Sequence, residues 1–385
     1  KLDDSMISKA FSLIKEEGKV KIVLLPKKHD EIKIEPSGLL SRSVGEKIKD
    51  LEKLRQQVLS RDSRIKAISI RYYEDYVDKW YYSTEDREIH LIYPISGVSI
   101  TVTAIEAGVT ASASTTSFTY KGYIFDIVDE NELVNTIINR IDKQLQGRFP
   151  KPGIFPVVLD PDVVGVFTHE ALGHLAEADL AINGILHKLK GKKIASDEVT
   201  VVDSPHMDFP RGIGYTPYDD EGVEGIDVKI IDRGMVKDFL MDRFYAAYLG
   251  KMPTGNARAE DFRSQILIRM RNTYMAPGTH RLEELFEGIK EGYFMKSTLG
   301  GQTSSDGSFQ FGIQEGYFIR NGEIAESLRA SGISGFTIET MGEISMVSKD
   351  LLISSGFCGK SGQSVPVGTG GPFIRVEKLK VGGYE

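Results

Sequence analysis

The sequence contains a single cysteine among its 385 residues, and this excludes an internal disulfide. A chain of this length buries enough apolar surface to fold without a disulfide or a structural metal. Long apolar runs are also missing, because no stretch approaches the roughly 18 apolar residues that a membrane-spanning helix needs. The first residues lack the apolar segment of a signal peptide. We therefore expect a soluble protein of a reducing compartment, located in the cytoplasm and without a membrane partner.

An excess of positive charge is absent as well. The 48 Lys and Arg residues face 55 Asp and Glu residues, which gives a formal net charge of −7. A protein that binds nucleic acid directly normally carries a basic excess, so we expect no nucleic-acid partner. The ordinary content of hydrophobic (41%) and charged (27%) residues excludes wholesale disorder.

The hydrophobic pattern predicts an N-terminal α+β domain over residues 1–150. Helical spacing at residues 7–14 and behind a capping box at Ser43 and Glu46 predicts two helices. From Arg64 to Asp126 the period changes to two, which predicts antiparallel strands, and a further amphipathic helix follows from Asn131. This domain is expected to place helices on an antiparallel sheet.

A proline-rich segment at residues 147–156 marks the predicted boundary, since it contains three prolines and two glycines. Beyond it, residues 151–385 are dominated by strand patterns and glycine-rich turns. Asp232–Gly234 and Arg320–Gly322 have the composition of hairpin turns. We expect an α+β protein whose second domain is β-rich and carries one chemically important helix.

That helix contains the pattern His-Glu-x-x-x-His at residues 169–174. Metalloprotease helices commonly space their histidines four apart, because such residues share one face and can bind one zinc ion. On a regular helix, histidines five apart diverge by about 140° and could not bind the same ion. A π-bulge would restore their alignment, and Gly173 would ease such a distortion. A metal site here therefore predicts a distorted helix.

Each candidate residue also has an alternative interpretation without a metal. His169 and His174 could each bond a backbone carbonyl, and Glu170 could be a first-turn helix carboxylate instead of a general base. Glu177 could be a ligand or, as we favour, a partner for the imidazole N–H of His174. Cys358 lies in a glycine-rich stretch that is expected to be an exposed loop. It could be a small buried hydrophobe or, with Lys360 nearby, a thiolate ligand.

These segments and further blocks along residues 157–385 resemble the TldD/PmbA family, specifically its TldD branch. The matching blocks, in family order, include Asp219–Gly222, Pro253–Asn256, Asn272–Met275, Ile344–Val347, Cys358–Gln363 and Pro366–Gly368. Residues 1–146 resemble the family only in general layout.

The resemblance implies a zinc metalloprotease that holds one Zn²⁺ per chain on His169, His174 and Cys358, with Glu170 as the catalytic base. It also implies unstructured peptides or unfolded proteins as substrates, and a dimer of the chain with itself or with a PmbA/TldE-type paralogue. The PmbA branch lacks the histidine motif, so the motif places this chain with the catalytic branch.

Two alternative functions of the chain stay open at this point, and so do the roles of two of its segments. The metal could be structural in a binding or regulatory subunit, which a fourth protein ligand such as Glu177 or His206 would indicate. The chain could also be an inactive scaffold.

The acidic block that begins at Asp219 could be a solvated turn or part of a substrate cleft. The glycine pairs Gly300–Gly301 and Gly370–Gly371 could admit an extended peptide.

Overall fold

The computed structural model describes residues 21–207, 212–304 and 306–383. The helix predicted at residues 7–14 lies outside these ranges. Within them, no helix combines the length and the apolar character needed to cross a membrane.

The first part of the chain folds as helices against an antiparallel sheet, in agreement with the expected fold class. The capping box is confirmed, because the Ser43 side chain accepts from the backbone of Glu46 and the Glu46 side chain bonds back to Ser43. The elements are β1 (Lys28–Lys33), α1 (Val44–Arg61), β2 (Ile65–Ser83), β3 (Arg87–Glu106), β4 (Val109–Thr119), a 3₁₀ turn (Ile124–Asp126) and α2 (Glu130–Gln146).

Strand β3 organises this sheet. It pairs with β2 along nearly its whole length, and its other edge pairs first with the parallel β1 and then with the antiparallel β4. Apolar residues on one face of α1 and α2 pack against alternate residues of β3 and β4, including Val98, Ile100 and Val102. This core is formed by apolar residues that recur every 3.6 positions in the helices and every second position in the strands.

The second part is β-rich, as expected, and both predicted hairpin turns are present. Its helical segments are α3 (Pro161–Val166), a π-helix (Phe167–Gly173), a 3₁₀ turn (His174–Ala176), α4 (Ala178–Ala181), α5 (Ile185–Leu189), α6 (Arg243–Leu249), a 3₁₀ turn (Leu282–Phe286) and α7 (Thr337–Gly342). Its strands are β5 (Gly153–Leu159), β6 (Val201–Ser204), β7 (Val228–Asp232), β8 (Met235–Val236), β9 (Ala257–Arg258), β10 (Leu267–Ile268), β11 (Asn272–Met275), β12 (Glu291–Thr303), β13 (Ser308–Arg320), β14 (Glu323–Leu328), β15 (Ser331–Phe336), β16 (Ile344–Val347), β17 (Leu352–Lys360), β18 (Gln363–Gly371) and β19 (Ile374–Gly383).

These strands form two main β-structures around the helix that carries the histidines. In the first, β12, β5, β19, β15 and β13 pair in succession, and β13 returns to β12 to close a ring. In the second, the order is β17-β18-β11-β6-β7-β8, so β17 is an end strand. Helix α3 and the π-helix contact β12 of the ring and β11 and β18 of the open sheet. The histidines therefore lie between two β-structures.

A fully buried ion pair holds β6 to the chain just before β11. The Arg271 Nε lies 2.7 Å from Asp203 Oδ1, and both side chains are inaccessible to solvent. Asp203 also accepts from Asn256 and Thr273. Burial alone would raise the pKa of Asp203, but the Arg271 cation and the hydrogen bonds outweigh it and lower the pKa. Because the folded pKa is lowered, the pair stabilises the fold at neutral pH, and this contribution is lost as the pH falls below about 4.

We expect Asp203→Ala to lower the free energy of unfolding by about 3–5 kcal/mol, because it leaves the Arg271 cation buried without a counter-ion. Urea unfolding at pH 7 measures this loss. The matched control is Asp232→Ala, which removes an exposed pair with Lys229 and should cost no more than about 1 kcal/mol. Equal losses for the two variants would contradict the assignment of a stabilising buried pair.

Candidate metal centre

The helix that carries the two histidines begins at a well-defined cap. The Asp160 side chain accepts a hydrogen bond of 2.9 Å from the backbone of Val163, and Pro161 occupies the first helical turn. Both features are favoured at helix starts, since the side chain satisfies a free N–H and proline has none to lose. Val163, Val164 and Phe167 are buried, so the next turn lies deep in the core.

At Phe167 the α-helix becomes a π-helix that extends to Gly173. The backbone N–H of His174 donates to the carbonyl of His169, which is the i→i+5 bond that defines this winding. The two imidazole rings consequently approach each other, with centroids 5.2 Å apart and planes at 81°. The predicted distortion between the two histidines is confirmed.

Gly173 is required for space, whereas the sequence suggested that it eases the backbone. Its φ of −59° and ψ of −49° are ordinary helical values that any residue adopts. A Cβ atom at this position would instead lie 2.0 Å from the Sδ atom of Met270, a side chain that is itself fully buried. The close packing of Met270 explains the glycine.

Cys358 reaches the histidines from strand β17, 184 positions after His174. Its Sγ atom lies 3.5 Å from His174 Nε2, and the ligand atoms of His169, His174 and Cys358 all lie within 4.8 Å of one another. The expectation of an exposed loop was wrong, since Cys358 is buried in a regular strand. The glycines around it belong to the hairpin of β17 and β18, which pairs residue by residue.

The distance between Cys358 and His174 matches the spacing of two ligands around a zinc ion. Zn–S bonds of about 2.3 Å and Zn–N bonds of about 2.0–2.1 Å at a tetrahedral angle place sulfur and nitrogen about 3.6 Å apart. The Sγ–Nε2 distance of 3.5 Å agrees with that value. The Nδ1 atom of His169 is buried and has no hydrogen-bond partner within the described residues. Buried polar atoms are usually hydrogen-bonded, so this nitrogen is available to bind a metal ion. Imidazole nitrogen and thiolate sulfur are both donors that bind zinc.

The two ring nitrogens of His174 have different neighbours. Nε2 faces Cys358, whereas Nδ1 lies 3.1 Å from the Oε2 atom of Glu177, a fully buried carboxylate. The same oxygen accepts 2.9 Å from the Nζ atom of Lys360. Glu177 and Lys360 thus lie beside Nδ1 of His174, and Cys358 lies beside Nε2 of the same ring. Lys360 pairs with acidic side chains, which the sequence did not reveal.

The thiol and the imidazole influence each other's protonation strongly. Burial would raise the pKa of Cys358, but its contacts with His169 and His174 lower that pKa to about 4. Burial would lower the pKa of His174, whereas Cys358 and Glu177 raise it to about 10. The cysteine therefore favours the thiolate, which is the form that binds metals.

Glu170 and His169 line a cleft of about 540 Å³ between the two parts of the protein. Strand β4 and helix α2 contribute one wall, and residues 352–357 of β17 contribute another. The cleft reaches the candidate metal centre at His169, whereas the buried Glu177 and Lys360 do not line it. A molecule in the cleft would contact Glu170 beside His169.

Most of the chain matches two domains of one protein family. Residues 152–383 match the family domain described as the PmbA/TldA metallopeptidase C-terminal domain, and residues 38–145 match the corresponding central domain. The chain belongs to the TldD/PmbA family. It is 52% identical over 384 residues to a protein of Saccharolobus solfataricus named "Zinc metalloprotease TldD homolog", an alignment that covers 100% of this chain and 86% of the relative.

Two solved structures share the fold. A Thermotoga maritima protein described as a modulator of a DNA gyrase superposes with a TM-score of 0.77 and 21% identity, over 99% of this chain and 84% of that chain. TldE from Thermococcus kodakarensis superposes with a TM-score of 0.75 and 20% identity, over 98% of this chain and 83% of that chain. The α+β architecture with a β-rich second part is thus a TldD/PmbA fold.

The acidic residues of the block that begins at Asp219 make contacts within the protein. Asp219 is buried and accepts from the backbone of Glu221, Val223 and Ala257, so it is not part of a solvated turn. Burial raises its pKa to about 7 even though these hydrogen bonds favour the ionised form. This residue fixes the local loops, whereas its neighbour Asp220 pairs with Lys79.

The glycine pairs also serve packing inside the chain. A Cβ atom on Gly301 would lie 1.9 Å from the ring of Phe311, and one on Gly370 would lie 2.2 Å from the carbonyl oxygen of Leu352. In both cases the closely approaching group is a neighbouring strand of the protein. Packing of neighbouring strands therefore accounts for Gly301 and Gly370, whereas a Cβ atom on Gly300 would have no neighbour within 4 Å.

Proposed function

We propose that this chain is a zinc-dependent peptidase of the TldD type, which hydrolyses peptide bonds of unstructured peptides. One observation carries the proposal: two imidazoles and the only thiol of the chain converge, and the carboxylate of Glu170 lines the adjacent cleft. Membership of a metallopeptidase family supports it.

In this proposal His169, His174 and Cys358 hold one Zn²⁺. A zinc ion bound there would polarise the scissile carbonyl and lower the pKa of the attacking water. Glu170 takes a proton from that water on its carboxylate and passes it to the leaving amine. Glu177 holds the proton of His174 on Nδ1, so that Nε2 keeps its lone pair for the metal.

The number of protein ligands favours a catalytic site over a structural one. Catalytic zinc sites use three protein ligands, whereas structural sites use four. Among the described residues, the group that could bind a metal contains three members and includes neither Glu177 nor His206. His206 instead lies near Asp227 with a largely exposed side chain. This weighs against a binding or regulatory subunit that is merely stabilised by a metal.

The shape of the cleft supports extended peptides as the substrate. Its wall includes the end strand β17, which pairs on one side with β18. An end strand can accept a further strand through main-chain hydrogen bonds, which supply the affinity in this mode of recognition. A cleft of about 540 Å³ admits an unfolded segment but excludes a folded domain. We therefore propose unfolded proteins and peptides as substrates.

We also propose that the protein acts as a dimer in the cytoplasm, either with itself or with a TldE-type paralogue. The common fold with TldE is compatible with both arrangements, since it makes the two partners alike. A reducing compartment would keep the single thiol available for metal binding. Light scattering of the purified chain, with and without the TldE-type paralogue of its source, would distinguish a homodimer from a heterodimer.

The proposed function predicts one zinc ion per chain and cleavage of unfolded casein but not of a stable folded protein. Elemental analysis of protein purified without added metal gives the first quantity, and gel-based digestion gives the second. A chelator should abolish cleavage and zinc should restore it. Bound zinc without cleavage in the presence of the paralogue would favour the regulatory subunit, and absence of zinc would reject the proposal.

A further inference from the structure

The two segments that supply His174 and Cys358 are joined by a second contact beside the candidate metal centre. Lys360 follows Cys358 by two positions on β17, so the two side chains lie on the same face of the strand. Glu177 follows His174 by three positions. The contact of Cys358 with His174 and the contact of Lys360 with Glu177 therefore connect the same two segments side by side.

The surroundings of the Lys360 ammonium group satisfy it completely. Its Nζ atom lies 2.9 Å from Glu177 Oε2, 2.7 Å from Asp179 Oδ2 and 3.0 Å from the carbonyl oxygen of Ile268. An ammonium group has three N–H donors, and three acceptors are present. The Lys360 side chain is only 11% exposed, and that of Glu177 is not exposed at all. The group thus forms a buried, fixed cross-link.

We infer that Lys360 is a positioning residue that locks the strand of Cys358 onto the segment of His174, so that the metal-binding side chains are assembled before a metal arrives. This inference rests on the proposed function, because it concerns the same three side chains. It adds Asp179, and it gives Lys360 a positioning role beside the support of the Cys358 thiolate that the sequence suggested.

The physical reason lies in the position of β17 and in the charges. Among the described strands, β17 pairs in its sheet with β18 only, so sheet pairing does not fix its distance from His174. The Glu177 carboxylate is fully buried, and Lys360 reaches it with a cation from the strand of Cys358. Removing Lys360 would release the strand and break a buried ion pair, which is costly.

The first test is the zinc affinity of Lys360→Met, measured by competition with a chromophoric chelator. Loss of a residue that orients a metal ligand typically weakens binding 10- to 100-fold, and we expect a loss of about that size. The matched control is Lys251→Met, which removes a pair with Asp238 that takes no part in the centre, and its zinc affinity should equal that of the unmodified protein. Unchanged affinity in Lys360→Met would overturn the inference.

A double-mutant comparison tests whether Lys360 acts through Glu177. In the Glu177→Gln background, the further change Lys360→Met should weaken zinc binding much less than it does alone. Fully additive effects would contradict the inferred lock. Should Lys360→Met fail to fold, Asp179→Asn provides the second variant, since it keeps the shape of one acceptor but removes its charge. It should also weaken zinc binding, and wild-type affinity would again overturn the inference.

A measurement without metal separates this inference from the proposed function. Cys358 is the sole thiol, so its alkylation rate in metal-free protein reports how firmly β17 is held. We expect several-fold faster alkylation in Lys360→Met than in Lys251→Met, at matched thermal stability. If the unmodified protein binds no zinc, the proposed function fails while this rate still tests the lock; equal rates reject the lock alone.

Discussion

Replacement of Glu170 by glutamine should reduce peptide hydrolysis by about 10²- to 10⁴-fold, the usual contribution of a general base. The amide keeps the size of the side chain but cannot take the proton of the attacking water. Because Glu170 is not part of the group that could bind a metal, the zinc content should stay at one per chain. Initial rates on an unfolded-casein substrate, with elemental analysis of the same samples, measure both quantities.

The control for this experiment is Glu323→Gln, which changes an exposed glutamate of β14. It should leave both the rate and the zinc content unchanged. Hydrolysis by the Glu170→Gln variant at the rate of the unmodified protein would contradict the role of Glu170 as the base. Loss of zinc together with activity would instead indicate that Glu170 supports the metal centre.

Replacement of Cys358 by serine should remove the zinc and, with it, the peptidase activity. The hydroxyl of serine is a poor metal ligand at neutral pH, whereas the thiolate is a strong one. Loss of a residue that merely orients a ligand costs 10- to 100-fold in affinity, so loss of the ligand itself should weaken zinc binding by at least about 100-fold. Chelator competition measures the affinity, and the melting temperature should no longer rise on addition of zinc.

Val365→Ala separates the loss of a ligand from the loss of packing. Val365 pairs directly with Cys358 across the β17–β18 hairpin and is equally buried, but its side chain cannot bind a metal. This variant should be less stable and still hold zinc. If Cys358→Ser retained zinc at the affinity of Val365→Ala, the proposed ligand set would be wrong.

The helix of the histidines illustrates how much a local pattern can predict. The spacing of five between His169 and His174 is incompatible with one face of an α-helix, so the interpretation as a metal site predicted the distorted winding that the structure contains. The reason for Gly173 was not predictable, because Met270 contacts it from a segment almost a hundred residues away in sequence. Local spacing constrains the backbone, whereas space around a side chain depends on the packing of distant segments.

The surroundings of Cys358 show the opposite case. Its glycine-rich neighbourhood suggested an exposed loop, because glycine is rare inside strands. In the folded chain those glycines lie in a long hairpin that is packed on one side against the helix of the histidines. The partners of Lys360 were hidden for the same reason, since Asp179 precedes it by 181 positions.

The sequence by itself determined the elements whose signals are local: the capping box, the hairpin turns, the switch from helical to strand periodicity, and a histidine pair that can share a metal only on a distorted helix. Only the tertiary structure decided how a buried strand brings the sole thiol to those histidines, that Glu170 lines a cleft, and that Lys360 joins the two segments. These contacts depend on the order in which strands pair and on which faces are buried. Such choices minimise the free energy of the whole chain, and no short stretch of sequence contains them.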